Sequence, residues 1–281
     1  MRQITILGTG LIGGSLALAF KRHGFTGPIV GCDRPQVLAQ AKTLGAIDLG
    51  HEDAAQACAN SDLVVLATPV GLVMDLLQRL GPLLPPDTLC TDVGSTKADV
   101  VARARDIFGD RAPERFLAGH PMAGKENSGI GQADADLFTG AVWLFTPLPG
   151  QDIRRGRAGE YVQWIERIGA RVLEMDPDRH DRLCAWISHL PQMLSVALAA
   201  TVEEEFGNDA DMKAIGGRML REMTRVATSP YSMWRDVALT NTANIEEALL
   251  RLEQRLAHIR ENLRTRELET EFDIARRFRK H

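Results

Sequence analysis

The run Gly8-Thr9-Gly10-Leu11-Ile12-Gly13 follows the apolar stretch Ile4–Leu7 and leads into the amphipathic stretch Ser15–Arg22. Glycines cluster in many turns, so the spacing gains meaning from the strand before it and the helix after it. In that setting Gly8 permits a tight turn, Gly10 lets the backbone approach a pyrophosphate, and Gly13 lets helix and strand pack closely. The free N–H groups and positive dipole end of the helix then face the phosphates. Leu11, Ile12 and Thr68, which directly follows the apolar run Leu63–Ala67, complete the expected cofactor-binding loops. Asp33 lies 33 − 13 = 20 residues past the third glycine, at the end of the next apolar run, Ile29–Asp33. A carboxylate there accepts bonds from the ribose hydroxyls of NAD and repels the 2′-phosphate of NADP. Arg34 follows it and offers that phosphate a partner, so NAD is expected and NADP is the alternative. The bland reading of the same residues is a glycine turn in a ligand-free α/β fold.

Outward from this loop, short apolar runs alternate with amphipathic stretches. Strands are expected at Ile4–Leu7, Ile29–Asp33, Leu63–Ala67, Thr88–Asp92, Phe116–Gly119, Ala141–Phe145 and Arg171–Met175. Several lack clean alternation, as strands buried on both faces of a parallel sheet do. Helices are expected at Ser15–Arg22, Gln36–Leu44, Leu72–Leu80, Lys97–Phe108 and Gly156–Ile168. The order predicts an α/β fold, a Rossmann-type doubly wound parallel sheet over residues 1–176. From 177 to 281 only helical stretches are expected, broken at Gly207, Gly216-Gly217 and Ser229-Pro230. Apolar residues recur at helical spacing after Asn244, and some of these stripes are expected to bury against a second copy of the chain, because a few helices make a thin core.

Composition narrows the class. With 33 Lys plus Arg against 37 Asp plus Glu, the net charge is 33 − 37 = −4, which argues against a nucleic-acid partner. The basic tail Arg276–His281 reads as a frayed, solvated end. No uninterrupted apolar run approaches the ~18 residues of a membrane helix, and the N-terminus lacks a signal-peptide layout. The four cysteines (Cys32, Cys58, Cys90, Cys184) show neither CxxC nor zinc-ligand spacing, so no metal is expected and a reduced cytoplasmic enzyme fits.

In open parallel sheets the ligand sits at the carboxyl ends of the strands. Two such ends carry polar groups, Ser95-Thr96-Lys97 after Asp92, and His120 between Gly119 and Pro121. A histidine there can take an alcohol proton as the carbon gives up hydride, since its ordinary pKa suits exchange near neutrality. It could equally bond the loop backbone, and Ser95 and Lys97 could cap the following helix. The helical part adds His189, Trp234 and the arginines Arg218, Arg221, Arg225 and Arg235. Arginine suits a carboxylate through two parallel bonds, although most helical arginines face water.

GTGLIGGSLA at 8–17, DVGSTK at 92–97, GHPMAGKENSG at 119–129, SHLPQ at 188–192 and REMTRVATSPYSMWRD at 221–236 together resemble the prephenate and arogenate (cyclohexadienyl) dehydrogenase family of tyrosine biosynthesis. The resemblance implies a homodimer with intertwined helical domains, and a substrate with a ring hydroxyl at C4 and a carboxylate at C1. It implies that His120 accepts the hydroxyl proton as hydride moves to NAD, after which CO2 leaves and the ring becomes aromatic. It further implies that Ser95 bonds the same hydroxyl and that Arg225, oriented by Glu222, binds the ring carboxylate. Glu126 would sit at the cleft mouth, with His189 and Trp234 lining the substrate site. The chain departs from the common HLPH pattern at Gln192, a neutral residue that would tolerate the ammonium of arogenate. Two rival readings remain: a β-hydroxyacid-type dehydrogenase with a base in its helical domain, and a non-enzymatic NAD-sensing dimer. The placement of His120 speaks against both.

Overall fold

The computed structural model describes residues 1–125 and 127–280. Eight strands form one sheet: β1 (Ile4–Leu7), β2 (Ile29–Cys32), β3 (Leu49–His51), β4 (Leu63–Leu66), β5 (Leu89–Asp92), β6 (Phe116–Pro121), β7 (Val142–Thr146) and β8 (Arg171–Glu174). Their order across the sheet is β3-β2-β1-β4-β5-β6-β7-β8. The first six run parallel, and β1 stands where the order reverses. The sheet is not parallel throughout, however. β7 runs antiparallel to β6, and β8 follows β7 in parallel. The reason lies in residues 122–141, whose described members hold one short 3-10 turn, Ile130–Gln132, and no crossover helix, so the chain turns back alongside β6. The edge strand β3 escaped the sequence reading, because its three residues Leu49-Gly50-His51 carry no buried side chain and no apolar run.

The helices of this part are α1 (Leu11–Arg22), α2 (Pro35–Thr43), α3 (Ala54–Cys58), α4 (Val70–Leu80), α5 (Ala98–Phe108), α6 (Ala112–Arg115) and α7 (Gly156–Arg167). One sheet face packs Ile4, Ile6 and Trp143 against Leu16, Phe20, Tyr161 and Ile165. The other packs Leu7, Val64 and Leu66 against Val73, Leu77, Val100 and Ala104. Burial on both faces explains the missing alternation in the strands. Helix α1 starts at Leu11, four residues before the expected Ser15, so the glycine run supplies its first turn. Gly10 at its N-cap makes no side-chain cap, and the first turn holds no acidic residue.

Beyond β8 the described residues are helical. Asp176 accepts from the Arg179 amide at 3.0 Å and starts α8 (Pro177–Cys184). A π-helical turn, Ala185–His189, joins it to α9 (Leu190–Phe206) in one continuous rod. Pro191 accounts for the widened turn: it brings no N–H to the ladder and its ring crowds the carbonyl four residues back. The rod, Pro177–Phe206, is 30 residues long with a best-window mean hydropathy of 1.4, so by length and composition alone it is apolar enough to cross a membrane. A search for uninterrupted apolar runs misses it, because charged residues punctuate its first turns. Helices α10 (Ala210–Ile215), α11 (Arg218–Thr224), α12 (Tyr231–Thr240), α13 (Thr242–Glu261) and α14 (Glu267–Arg279) complete the chain. The breaks fall at the expected glycines and at Ser229-Pro230. The tail expected to fray is helical through Arg279. Large apolar side chains stand exposed across this part, among them Ile187, Ile215, Met219, Leu239 and Phe278.

The glycine loop yields a direct test of the packing. A Cβ on Gly13 would lie 2.1 Å from the Gly8 carbonyl oxygen and 2.8 Å from Ile6 Cγ2, whereas one on Gly10 would meet nothing within 4 Å. Gly13→Ala should therefore cost about 1–3 kcal/mol of stability, seen as a lowered Tm in thermal denaturation, while Gly10→Ala should melt like the wild type. Equal melting of the two variants would contradict this packing account.

Candidate active site

The cofactor end lies over the carboxyl ends of β1, β4 and β5. A cleft of about 470 Å³ is lined there by Gly10, Leu11, Ile12, Thr68, Ser95 and His120, among others. Gly8 adopts φ +94°, and a side chain on it would strike the Ala67 carbonyl, so it shapes the turn and does not line the cleft. The uncapped N-terminus of α1 opens toward this space, and the buried Thr68 Oγ1 has no hydrogen-bond partner. Buried hydroxyls are normally satisfied, so both features fit a polar ligand. Asp33, one residue past β2, accepts from Thr9 N (2.8 Å) and Thr9 Oγ1 (3.3 Å) through one oxygen and from Arg34 N (2.8 Å) through the other. Its carboxylate is thereby braced against the glycine loop. The Arg34 side chain is 87% exposed, with Nε 4.0 Å from Asp33 Oδ1.

A second cavity of about 330 Å³ shares Ser95, His120, Met233 and Val237 with the first, and adds His189 and Trp234. His120 stands inside β6, paired across to Leu144 of β7, one residue further into the sheet than a strand ending at Gly119 implies. Its burial holds the imidazole well below the ordinary histidine range, and His180, Lys97 and His189 push the same way. Lys97 departs from the capping role open to it in sequence. Its side chain is fully buried, pairs with the equally buried Asp92, and donates to the Gly119 carbonyl at 2.8 Å. Asp92 accepts in turn from the Gly119 and Gly94 amides at 3.3 and 2.8 Å. The pair thus grips the residue before His120 from below. The first amides of α5 are capped from the other part of the chain, where Asp181 accepts from Lys97 N (2.7 Å) and Ala98 N (2.9 Å).

His189, 1% exposed, ends the π turn with its ring edge-on to Trp234, centroids 5.9 Å apart. Asn244 donates to Asn241 Oδ1 at 2.7 Å, so Asn241 Nδ2 faces His189 Nδ1 at 3.1 Å and donates to it. His189 consequently carries its proton on Nε2. Burial lowers its pKa to about 4, which leaves it a neutral donor at pH 7.

A third cavity of about 700 Å³ continues past Ser188 and Trp234 to Gln192 and Arg225. Of the four arginines singled out in sequence, Arg225 is the one that lines these cavities. Arg218 bonds Glu222, Arg221 bonds the Gly216 carbonyl, and Arg235 bonds Asp236. Glu222 therefore does not take the expected place: its carboxylate sits 2.6 Å from Arg218 Nε on an exposed turn, away from all three cavities. Gln192, 4% exposed, donates from Nε2 to the Val226 carbonyl at 2.8 Å, fastening the turn that carries Arg225. Glu126 lies outside the described residues.

Sequence reasoning missed His180, Asp181 and Asn241. The adjacent His180-Asp181, on the same rod as His189, was the one available signal. His120, His180 and Cys184 bring one ligand atom each within 4.8 Å of one another. Two of these nitrogens are only 2.9 Å apart, a hydrogen-bond distance. A tetrahedral zinc ion with bonds of ~2.0–2.1 Å would hold them roughly 3.3 Å apart.

Comparison with known proteins identifies the family. Residues 16–174 match the family model described as prephenate dehydrogenase, nucleotide-binding domain, and residues 176–279 match the prephenate dehydrogenase dimerization domain. The chain is 30% identical over 262 residues to the prephenate dehydrogenase of Lactococcus lactis subsp. cremoris, covering 93% of this chain and 70% of that protein. It is 31% identical over 246 residues to the cyclohexadienyl dehydrogenase of Zymomonas mobilis, covering 85% and 81%. The solved prephenate dehydrogenase from A. aeolicus in complex with hydroxyphenyl propionate and NAD+ superposes with a TM-score of 0.86 at 31% identity, over 100% of this chain and 96% of that one. With a nucleotide-binding sheet, a helical second part and matches spanning both, the chain belongs to the prephenate dehydrogenase family.

Proposed function

We propose that this protein oxidises and decarboxylates prephenate, arogenate or both, with NAD as the hydride acceptor. The observation that carries the reading is the position of His120, a neutral imidazole shared by the cavity along the glycine loop and the cavity leading to Arg225. The uncapped α1 terminus, the open space beside Gly10 and the orphaned Thr68 hydroxyl fit a dinucleotide, which would be held by Gly10, Leu11, Ile12, Thr68 and Asp33. NAD, when bound, supplies the acceptor for the hydride. His120 takes the proton of the C4 hydroxyl, and Ser95 bonds the same oxygen and holds it near the cofactor end. Arg225 fixes a substrate carboxylate at the far end, and His189 offers an N–H from the wall. Loss of the C4 hydrogen leaves a ketone that draws in the electron pair freed as CO2 departs C1. The ring becomes aromatic, and His120 returns its proton to the phenol oxygen, so acid and base balance over the cycle. NAD is favoured over NADP because the Asp33 carboxylate is braced where a 2′-phosphate would lie, with Arg34 turned to solvent.

The second copy belongs to the same reading. Exposed Ile215, Met219, Leu239 and Phe278 stand on helices of the matched dimerization domain, which supports a homodimer. The apolar rod Pro177–Phe206 is read as part of that interface and not as a membrane span, since His189 and Gln192 on it line the cleft. Four free cysteines are consistent with a reduced, cytoplasmic setting.

Three outcomes test the proposal. His120→Ala should lower turnover, followed at 340 nm, by at least ~10²-fold while leaving NAD affinity unchanged; undiminished turnover would remove His120 as the base. Because the folded pKa of His120 is depressed, the base stays unprotonated until pH falls well below 6.5, so kcat/KM should stay level through pH 7 and drop only at lower pH, where His189 also titrates. A drop centred at or above pH 6.5 would contradict that environment. Finally, Gln192→His should raise prephenate use relative to arogenate when kcat/KM is measured for each with NAD and with NADP, and no change in the ratio would remove Gln192 from substrate choice.

A further inference from the structure

His180 and Asp181 take no part in the mechanism above, yet both are buried, and His180 lies directly against His120. His180 is fully enclosed, and its Nδ1 lies 2.8 Å from Asp181 Oδ1. A carboxylate whose oxygens already accept backbone amides acts as an acceptor here too, so His180 Nδ1 carries the proton. Asp181 cannot turn away, because its two oxygens also take the Lys97 and Ala98 amides at 2.7 and 2.9 Å. With the ring proton held on Nδ1 by Asp181, His180 presents its Nε2 lone pair 2.9 Å from His120 Nδ1. One of those two nitrogens must donate. His180 Nε2 has nothing to give, so His120 Nδ1 holds the proton, and His120 Nε2 is left bare. Cys184 Sγ, 3.5 Å from His180 Nε2, stays a neutral thiol, since burial pushes it up to about 12.

We propose that Asp181 and His180 form a positioning relay that locks His120 in its Nδ1–H form, so that the bare Nε2 is the atom that meets the substrate hydroxyl. The inference rests on the reading of His120 as the base. In the step itself the substrate O–H bond breaks and an Nε2–H bond forms. His120 becomes an imidazolium whose Nδ1–H points at the His180 lone pair, backed by the Asp181 carboxylate. No proton has to travel to His180, and both ring orientation and charge are held from behind. Without the relay the Nε2–H tautomer opens to His120, and in that form the ring presents a donor where an acceptor is needed.

The experiment has two arms on the full-length protein. Nitrogen-15 NMR of the histidine-labelled wild type should find His120 protonated at Nδ1 and bare at Nε2; an Nε2–H signal for His120 would overturn the proposal without reference to any variant. In kinetics, His180→Gln keeps an amide oxygen near the position of Nε2, whereas His180→Leu removes the acceptor. Turnover should fall in the order wild type, Gln, Leu, with His180→Leu down roughly 10²-fold in kcat, while KM and the NAD dissociation constant stay within about threefold, as expected when a ground-state contact is untouched. A purely structural role would instead lower Tm and raise KM together, and that pattern would overturn the relay. If His180→Leu turns over at the wild-type rate while His120→Ala is inactive, the relay is wrong and the base stands. If His120→Ala is itself active, the underlying reading fails. Should His180→Leu not fold, the Gln variant and the wild-type spectrum decide the matter.

Discussion

The carboxylate of Asp181 ties together the parts of the molecule that have to meet for chemistry. Its two oxygens end the first turn of α5, whose preceding loop carries Ser95, and one of them also receives His180. Its backbone oxygen takes Asn241 Nδ2 at 2.8 Å, and the same amide nitrogen fixes His189. A buried carboxylate stripped of partners costs several kcal/mol, so each of these donors is effectively compulsory. The α/β sheet and the helical part are therefore joined by a polar contact whose geometry is specific, where an apolar seam would allow sliding.

Beneath it the Lys97–Asp92 pair plays a matching role on the sheet side. Both side chains are fully buried, and together they hold the amide and carbonyl of Gly119, so the chain reaching His120 is pinned before it enters the cleft. Buried ion pairs contribute little net stability over apolar residues of equal size, yet removing one partner strands a charge. What the pair supplies here is position. Further links, Thr96 to Thr240 at 2.7 Å and Gly71 N to Asp236 at 3.1 Å, bring α12 and its Trp234 onto the same frame.

How far the sequence could be read follows from where each signal resides. The glycine loop, most strand positions and the helix breaks at Gly207, Gly216-Gly217 and Ser229-Pro230 are local in origin, and they stand where local patterning puts them. The antiparallel return of β7 is not local, because a loop without a crossover helix looks like any other connection. Lys97 misleads for a different reason: a lysine at a helix start reads as solvent-facing unless its partner Asp92 is known to lie inside. The cap that Asp181 provides to α5 spans more than eighty residues of chain and leaves no spacing rule behind. In the site, His120, Ser95, Thr68, His189, Gln192, Trp234 and Arg225 do converge on adjoining cavities, while Glu222 turns to Arg218. Gln192 is legible as a departure from a pattern, but its bond to Val226 depends on how two helices cross.

The π turn has one further effect, on angular phase. His180 and His189 are 189 − 180 = 9 residues apart, and on a regular α-helix of 3.6 residues per turn that is about two and a half turns, which would aim them at opposite sides of the rod. The single widened turn absorbs part of that rotation and swings the second imidazole round, so that one amide, Asn241, can reach both its ring and the residue beside the first. Winding this turn back to regular α-helix with all nine residues kept would leave every side chain chemically intact and still pull the two imidazoles out of step.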